Sequence, residues 1–349
     1  MSNGMSRNKD LSRTIRVISC HDWQPDWSWL EREYSGSPPV NFRSISTRRP
    51  LLGQAPPLRL GRIAVGLEVA AIIARGKADL VVSHGPYTSY YVERLGRSLS
   101  RAVPHFAFAF NFTELPRGYR LKDMRHAFAR TNRFFVYSRM ERELYAATFE
   151  IPLERLVFMR WGVASPIAKP QPRTIAESYV VALGGEARDY ATLCAAARRL
   201  PNVRFVLVVR PHSLDSIDVP PNVVVRTNVP WNEAWSLVWY SEVAVIPLRS
   251  DRTPNGHVTL VGGMHLGKAQ VITDSAGIRD YAEDEKTALL VPPRDAAAFA
   301  ATVERLLDDR ALRERLGRNA QAFAAEHCSE AVTVAAFRKE LIEYFAVER

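Results

Sequence analysis

Gly256, His257, Val258 and Thr259 follow a Pro-Asn pair and lead into an apolar stretch closed by Gly267-Lys268. Pro, Asn and Gly interrupt regular structure, so the segment reads as a loop that opens a helix. The first N–H groups of a helix have no intrahelical partner, and the helix dipole adds partial positive charge there. Such an end suits a phosphate or diphosphate. Gly184, Gly185 and Arg188 form a second set, placed where an apolar run ends before a helical pattern. There the glycines would let a diphosphate approach the backbone and Arg188 would neutralise it. Asp22, His84 and Asn111 each follow an apolar run. Asp and His can take a proton from an attacking hydroxyl, whereas Asn can only hydrogen-bond. The plain alternatives are an ordinary helix start, a Gly-Gly turn with a solvated Arg, and polar groups that cap turns.

The elements that position these residues alternate between strand and helix, which argues an α/β fold with parallel sheets. Strands are expected at 14–19, 41–46, 80–83, 105–110, 133–137 and 156–160, with helices near 62–75, 89–100, 121–129 and 139–149. A second set places strands at 179–183, 203–209, 223–227, 243–247, 269–273 and 288–291. Its helices fall at 190–200, 232–241, 257–266, 295–307, 310–326 and 330–347. In open α/β sheets ligands bind outside the carboxyl ends of strands, where the candidates above sit. The proline-rich run between Ala164 and Thr174 is the best linker. The expected organisation is a disordered leader at 1–13, a first Rossmann-like domain at 14–165 and a linker at 166–174. A second Rossmann-like domain follows at 175–328, and a helix at 329–349 packs back on the first.

At 349 residues, 47% apolar and 24% charged, the chain has the composition of a globular protein. No apolar run approaches the roughly 20 residues that span a bilayer. The polar N-terminus lacks the apolar region of a secretory signal. Cys20, Cys194 and Cys328 are widely spaced, which indicates neither a disulfide framework nor a zinc site. A cytoplasmic location is expected. The net charge of +10 admits nucleic acid, an anionic membrane or anionic substrates as partners. No nucleic-acid reader motif is present, and no nucleic-acid partner is expected. The segment 117–135 interleaves Arg117, Arg120, Lys122, Arg125, Arg130 and Arg133 with Leu115, Tyr119, Leu121, Met124, Phe128, Phe134 and Phe135. That pattern fits a basic amphipathic surface for anionic lipid.

Taken in order, Leu183 to Tyr190, Thr227 to Trp231, Asn255 to Lys268, Asp274 to Tyr281 and Leu289 to Asp295 resemble the donor half of retaining GT-B glycosyltransferases, closest to family 4. Val136 to Arg139, Ile151-Pro152 and Arg160 to Val163 extend the resemblance, which covers roughly residues 77 to 325. It implies two Rossmann-like domains with a cleft between them and a C-terminal helix that crosses back to the first. It implies transfer of a sugar from a nucleotide-diphosphate sugar, a UDP-sugar first of all, to an acceptor hydroxyl. No DxD motif stands out, so neither a metal nor a resident cofactor is expected. The resemblance makes Gly184, Gly185, Arg188, Gly256, His257, Val258 and Thr259 the diphosphate site, with Asn228 and Val229 in the base loop. Asn111 stands where many members carry a histidine near the donor sugar. A retaining enzyme needs no strong base, whereas an inverting one would use Asp22 or His84.

Besides Asn111, a second departure stands out. Family members carry two glutamates eight residues apart, one on the donor sugar and one on the ribose, and these positions are Pro254 and Gly262 here. The basic segment suggests a polyprenyl-linked acceptor, as in exopolysaccharide or surface-glycan assembly. The competing expectation is a non-catalytic nucleotide-sugar or glycan-binding protein on the same fold.

Overall fold

The computed structural model describes residues 13–50, 54–98, 103–185, 187–249 and 255–347. The expected leader therefore lies almost wholly outside the described residues, as does Pro254. The chain divides into two compact units. The first holds the chain up to Val136, Arg142–Met159 and everything from Val334 on; the second holds Tyr137–Glu141 and Arg160–Thr333.

The first unit is built on β1 (Ile15–His21), β2 (Val40–Ser46), β3 (Leu80–His84), β4 (His105–Phe108), β5 (Arg133–Val136) and β6 (Leu156–Phe158). They form one parallel sheet in the order β2-β1-β3-β4-β5-β6. The order reverses between β1 and β3, so the crevice of this sheet opens at their carboxyl ends. Helices α1 (Trp29–Glu33), α2 (Leu58–Ala74), α3 (Pro86–Tyr91), α4 (Gly118–Phe128) and α5 (Arg139–Phe149) connect the strands. β3 and β4 are buried along their whole length, as expected of parallel strands covered on both faces.

The second unit repeats the plan with β7 (Tyr179–Leu183), β8 (Arg204–Val209), β9 (Val223–Thr227), β10 (Val243–Ile246), β11 (Gln270–Thr273) and β12 (Leu289–Val291). The parallel order is β12-β11-β10-β7-β8-β9. Its reversal point lies between β7 and β10, the strands that lead into Gly184 and toward Gly256. The helices are α6 (Tyr190–Arg199), α7 (Trp231–Tyr240), α8 (His257–His265), α9 (Ala296–Asp308) and α10 (Arg310–His327). α11 (Glu330–Val347) returns the chain to the first unit. There Phe337 packs edge-on to Phe108 at 5.6 Å, Asn132 donates to the Tyr344 hydroxyl at 2.9 Å, and Arg133 pairs with Glu340 at 3.3 Å.

The basic segment 117–135 is not a free amphipathic surface. Met124, Ala127, Phe128, Phe134 and Phe135 are buried in the first unit's core. Arg125 pairs with Glu150 at 2.6 Å, and Arg130 donates to the Glu93 carbonyl at 2.7 Å. The apolar face that periodicity offered to a lipid is spent on the core. Arg117, Tyr119, Arg120 and Lys122 remain outward, with Tyr119 83% exposed. Among the described residues no helix is long and apolar enough to cross a membrane.

Candidate functional site

Gly184, Gly185, Arg188 and Gly256 to Thr259 converge at the reversal point of the second sheet. β7 ends at Leu183, and Gly184 takes φ +132°, a backbone conformation that a side chain would strain. The Arg188 guanidinium lies against this glycine, since a Cβ there would come within 2.7 Å of it. Arg188 is 6% exposed and donates to the Thr259 hydroxyl at 2.9 Å. Thr259 in turn donates to the Leu183 carbonyl at 3.2 Å. The strand end, the arginine and the first turn of α8 are thereby tied together. The loop after β10 closes the frame: Asp189 N–H donates to the Pro247 carbonyl at 2.9 Å, and Arg249 to the Arg188 carbonyl at 2.8 Å.

α8 starts on Gly256 at φ +97°. Its first intrahelical bond runs from Leu260 N–H to the Gly256 carbonyl at 2.9 Å, so the N–H groups of His257, Val258 and Thr259 carry the helix's positive end. Val258 is 48% exposed, whereas His257 and Thr259 are 6% and 8% exposed. The His257 side chain has another task. Its Nε2 meets the Gly277 carbonyl at 3.2 Å and its ring lies 4.7 Å from that of Tyr281. A carbonyl only accepts, so Nε2 carries the proton. Burial pushes the ring down to about 4, aided by Arg188, against the Gly277 bond and Asp280. His257 is therefore neutral, and what it offers an anion is its backbone N–H.

Two arginines that the sequence reading passed over stand beside these residues. A Cβ on Gly185 would come within 2.7 Å of the Arg210 side chain, and Arg249 follows β10 on the same loop frame. Arg210 comes directly after the apolar strand β8, and this strand-end position was the available signal. Asn228 (φ +54°) and Val229 sit at the end of β9, next to β8. Asn228 is exposed, and Val229 packs partly against the core around Trp235.

At position 262 the structure explains the missing carboxylate. A Cβ on Gly262 would lie 2.1 Å from Cη2 of Trp235, whose indole is 2% exposed. The indole occupies the space into which any side chain at 262 would project.

The three first-unit candidates sit at carboxyl ends of its sheet, but their partners narrow what they can do. The Asp22 carboxylate accepts from Thr47 at 2.9 Å, from Thr88 at 2.8 Å, and from Arg62 through both Nε and Nη2. Its lone pairs are engaged in holding three segments together. His84 is 3% exposed, with its Nε2 3.4 Å from the Ser19 hydroxyl. Burial, with His21 beside it, pushes it down to about 3, which makes it a weak base. Asn111 is half-buried just past β4, after a turn in which its N–H donates to the Ala109 carbonyl at 2.9 Å. Among the described residues no three His, Cys, Asp or Glu side chains cluster so as to hold a metal ion.

Residues 186–323 match the family described as glycosyl transferases group 1. A 90-residue stretch is 33% identical to alpha-D-kanosaminyltransferase of Streptomyces kanamyceticus, covering 26% of this chain and 22% of that protein. Sucrose-phosphate synthase from Thermosynechococcus elongatus superposes with a TM-score of 0.68 at 16% identity, over 95% of this chain and 89% of that one. HepE of Anabaena, in complex with UDP-glucose, gives 0.66 at 15% identity, over 94% and 99%. The fold is that of the GT-B glycosyltransferases.

Proposed function

We propose that the protein is a glycosyltransferase that moves a sugar from a nucleoside-diphosphate sugar, a UDP-sugar first of all, to an acceptor hydroxyl. The observation that carries the proposal is Arg188, held by Thr259 across Gly184 at the first turn of α8. Breaking the bond between the sugar's anomeric carbon and the diphosphate leaves negative charge on the diphosphate. The N–H groups of His257, Val258 and Thr259, together with the Arg188 guanidinium, would face the diphosphate where that charge develops, so that little reorganisation is needed. A UDP-glucose complex of the structurally similar HepE supports the choice of donor class.

Retention of anomeric configuration is the better reading. Inversion needs a base within reach of the acceptor hydroxyl. Asp22 is saturated by Arg62, Thr47 and Thr88, and His84 binds protons too weakly at neutral pH. A retaining route in which the departing diphosphate accepts the acceptor proton asks for neither. We read the transfer as metal-independent, with positive charge supplied by the chain itself. The acceptor is a lipid-linked or polysaccharide-precursor alcohol in surface-glycan or exopolysaccharide assembly. The protein would meet it in the cytoplasm, docking on the anionic inner membrane face through Arg117, Tyr119, Arg120 and Lys122. A non-catalytic nucleotide-sugar or glycan-binding protein is the second reading, favoured by the loss of a carboxylate at Gly262.

A thermal-shift screen against UDP, GDP, ADP, CDP and TDP, with Arg188→Ala alongside, tests the donor site. One nucleotide should stabilise the wild type, and the variant should bind it about 10- to 100-fold more weakly, the scale of a charge-assisted hydrogen bond. No shift with any nucleotide refutes the donor site. Binding without turnover of the matching UDP-sugar, in the presence of glycan acceptors, favours the second reading.

A further inference from the structure

The loop after β1 carries Trp23, Trp27 and Trp29 within seven residues, at the reversal point of the first sheet. Trp23 and Trp27 are stacked at 4.4 Å with 18° between their planes. Trp27 meets His84, at the end of β3, edge-on at 4.8 Å, and His21, at the end of β1, at the same distance. Trp29 stands 6.1 Å from Trp27 and 6.3 Å from His84. The rings therefore bridge the ends of the two strands between which ligands of such sheets bind.

Core packing accounts for only part of these rings. His21 and His84 are 0% and 3% exposed beneath the indoles. Trp23 remains 39% exposed, and Trp27 and Trp29 are half-buried. Nor is indole packing all that holds the loop in place. The Ser46 hydroxyl donates to the Trp23 carbonyl at 2.5 Å, Arg48 to the Asp22 carbonyl at 2.7 Å, and Trp27 N–H to the Gln24 carbonyl at 3.0 Å. The Asp22 side chain adds its bonds to Thr47, Thr88 and Arg62. A polar frame thus presents the Trp23 ring to solvent, backed by Trp27.

We infer that this platform binds a pyranose ring of the acceptor, so that the acceptor is itself a glycoside. This rests on the transferase reading for the word acceptor, but the saccharide site stands on its own geometry. An indole face carries negative quadrupolar potential. The C–H groups on one face of a pyranose are weakly positive and stack on it, while the hydroxyls point sideways to polar neighbours. Gln24 and Asp26 are exposed on the loop and supply such neighbours. A polyprenyl chain would instead require an apolar groove without that polar rim.

The test is binding of the purified full chain to a printed glycan array, with saturation-transfer NMR on the strongest glycan. Wild type should bind glycans ending in a pyranose, and saturation should be greatest on the C–H protons of one ring face. Trp23→Ala, at the most exposed ring, should weaken binding about 3- to 10-fold, the range of single aromatic contacts. Trp27→Ala should abolish it and Trp27→Phe should restore most of it, which separates stacking from a folding defect. The UDP thermal shift should be unchanged in all three variants. No glycan binding by wild type, equal binding by Trp23→Ala and Trp27→Ala, or retention of polyprenyl phosphate vesicles by the platform in place of glycans would each overturn the inference. Loss of the UDP shift in the wild type, with glycan binding intact, would refute the transferase reading and leave the saccharide site standing.

Discussion

Acidification should weaken the second unit through His257, by an amount the structure allows to be worked out. The ring sits in the folded protein at about 4 against an ordinary value of 6.5, chiefly because it is buried. A lowered histidine stabilises fully above the unfolded value, loses that contribution as pH falls from 6.5 toward 4, and levels off below. Within this window the unfolded chain takes a proton that the folded ring refuses, at a limiting cost of about 1.4 kcal/mol per pH unit. Between pH 7.5 and pH 5 the loss comes to about 2 kcal/mol for this one ring. His21 and His84, pushed to about 4 and about 3, act in the same direction in the first unit, so the readout must be local. Urea unfolding followed by hydrogen-exchange mass spectrometry on peptides from α8 and β11 provides that. His257→Gln keeps a donor for the Gly277 carbonyl and removes the titration. Its constant cost cancels when each protein is compared with itself at the two pH values. The wild type should lose about 2 kcal/mol more than the variant on acidification. Equal losses would refute the picture of a neutral, desolvated ring locking the start of α8.

Three further perturbations separate structural from chemical roles. Gly262→Ala should destabilise the second unit by about 1–2 kcal/mol in urea, overpacking against Trp235 being partly offset by better helix propensity. Trp235→Phe in the same chain should recover part of the loss, and a neutral Gly262→Ala would mean that the indole yields freely. Asp22→Asn should cost about 1–3 kcal/mol of first-unit stability through Arg62 while leaving kcat within a few-fold. A fall beyond 100-fold at unchanged stability would instead make Asp22 the base of an inverting reaction. Wild type should sediment with anionic phosphatidylglycerol vesicles at low salt and be released by 0.5 M NaCl, where the Debye length falls to about 4 Å. Arg117→Ala with Lys122→Ala should reduce that binding by about 1 kcal/mol per residue. Indifference to either change would remove the outward turn of α4 as a membrane contact.

Sequence pattern was most informative where burial is on both faces. Parallel strands covered by helices read as short unbroken apolar runs, and the ranges expected for β7 and β9 coincide with Tyr179–Leu183 and Val223–Thr227. At the start of α5 Ser138 accepts from Glu141 N–H at 3.1 Å, as serine commonly does at a helix start. Boundaries failed where one residue redirects the backbone. β4 stops at Phe108 because Ala109 turns to φ +49°, and the helix expected at 89–100 begins at Pro86 and continues as a π-helical turn over Val92–Gly96. The short α1 went unread because Trp29–Glu33 is too brief to show a period. In the segment 117–135 pattern alone does not say which apolar residues face the core. A helix face that packs on a protein core and one that lies on lipid have the same apolar spacing, and only the third dimension separates them.

Asp22, His84 and Arg188 are all candidates by residue type, and their partners divide them. A carboxylate acts as a base through a lone pair directed at the proton it removes, and those of Asp22 are directed at Arg62, Thr47 and Thr88. An imidazole acts as a base when its proton affinity lies near the working pH, and burial has taken that from His84. Arg188 loses nothing comparable by being tied to Thr259, because a guanidinium has five N–H donors and stays charged. Fixing one donor orients the rest, as the proposed role on a leaving diphosphate requires. The same reasoning applies to α8, where His257 spends its ring on Gly277 and Tyr281 and keeps its N–H at the helix start. In this fold side chains hold backbone dipoles in position. Chemistry that rests on such dipoles leaves little trace in a sequence beyond the glycines that let a ligand come near.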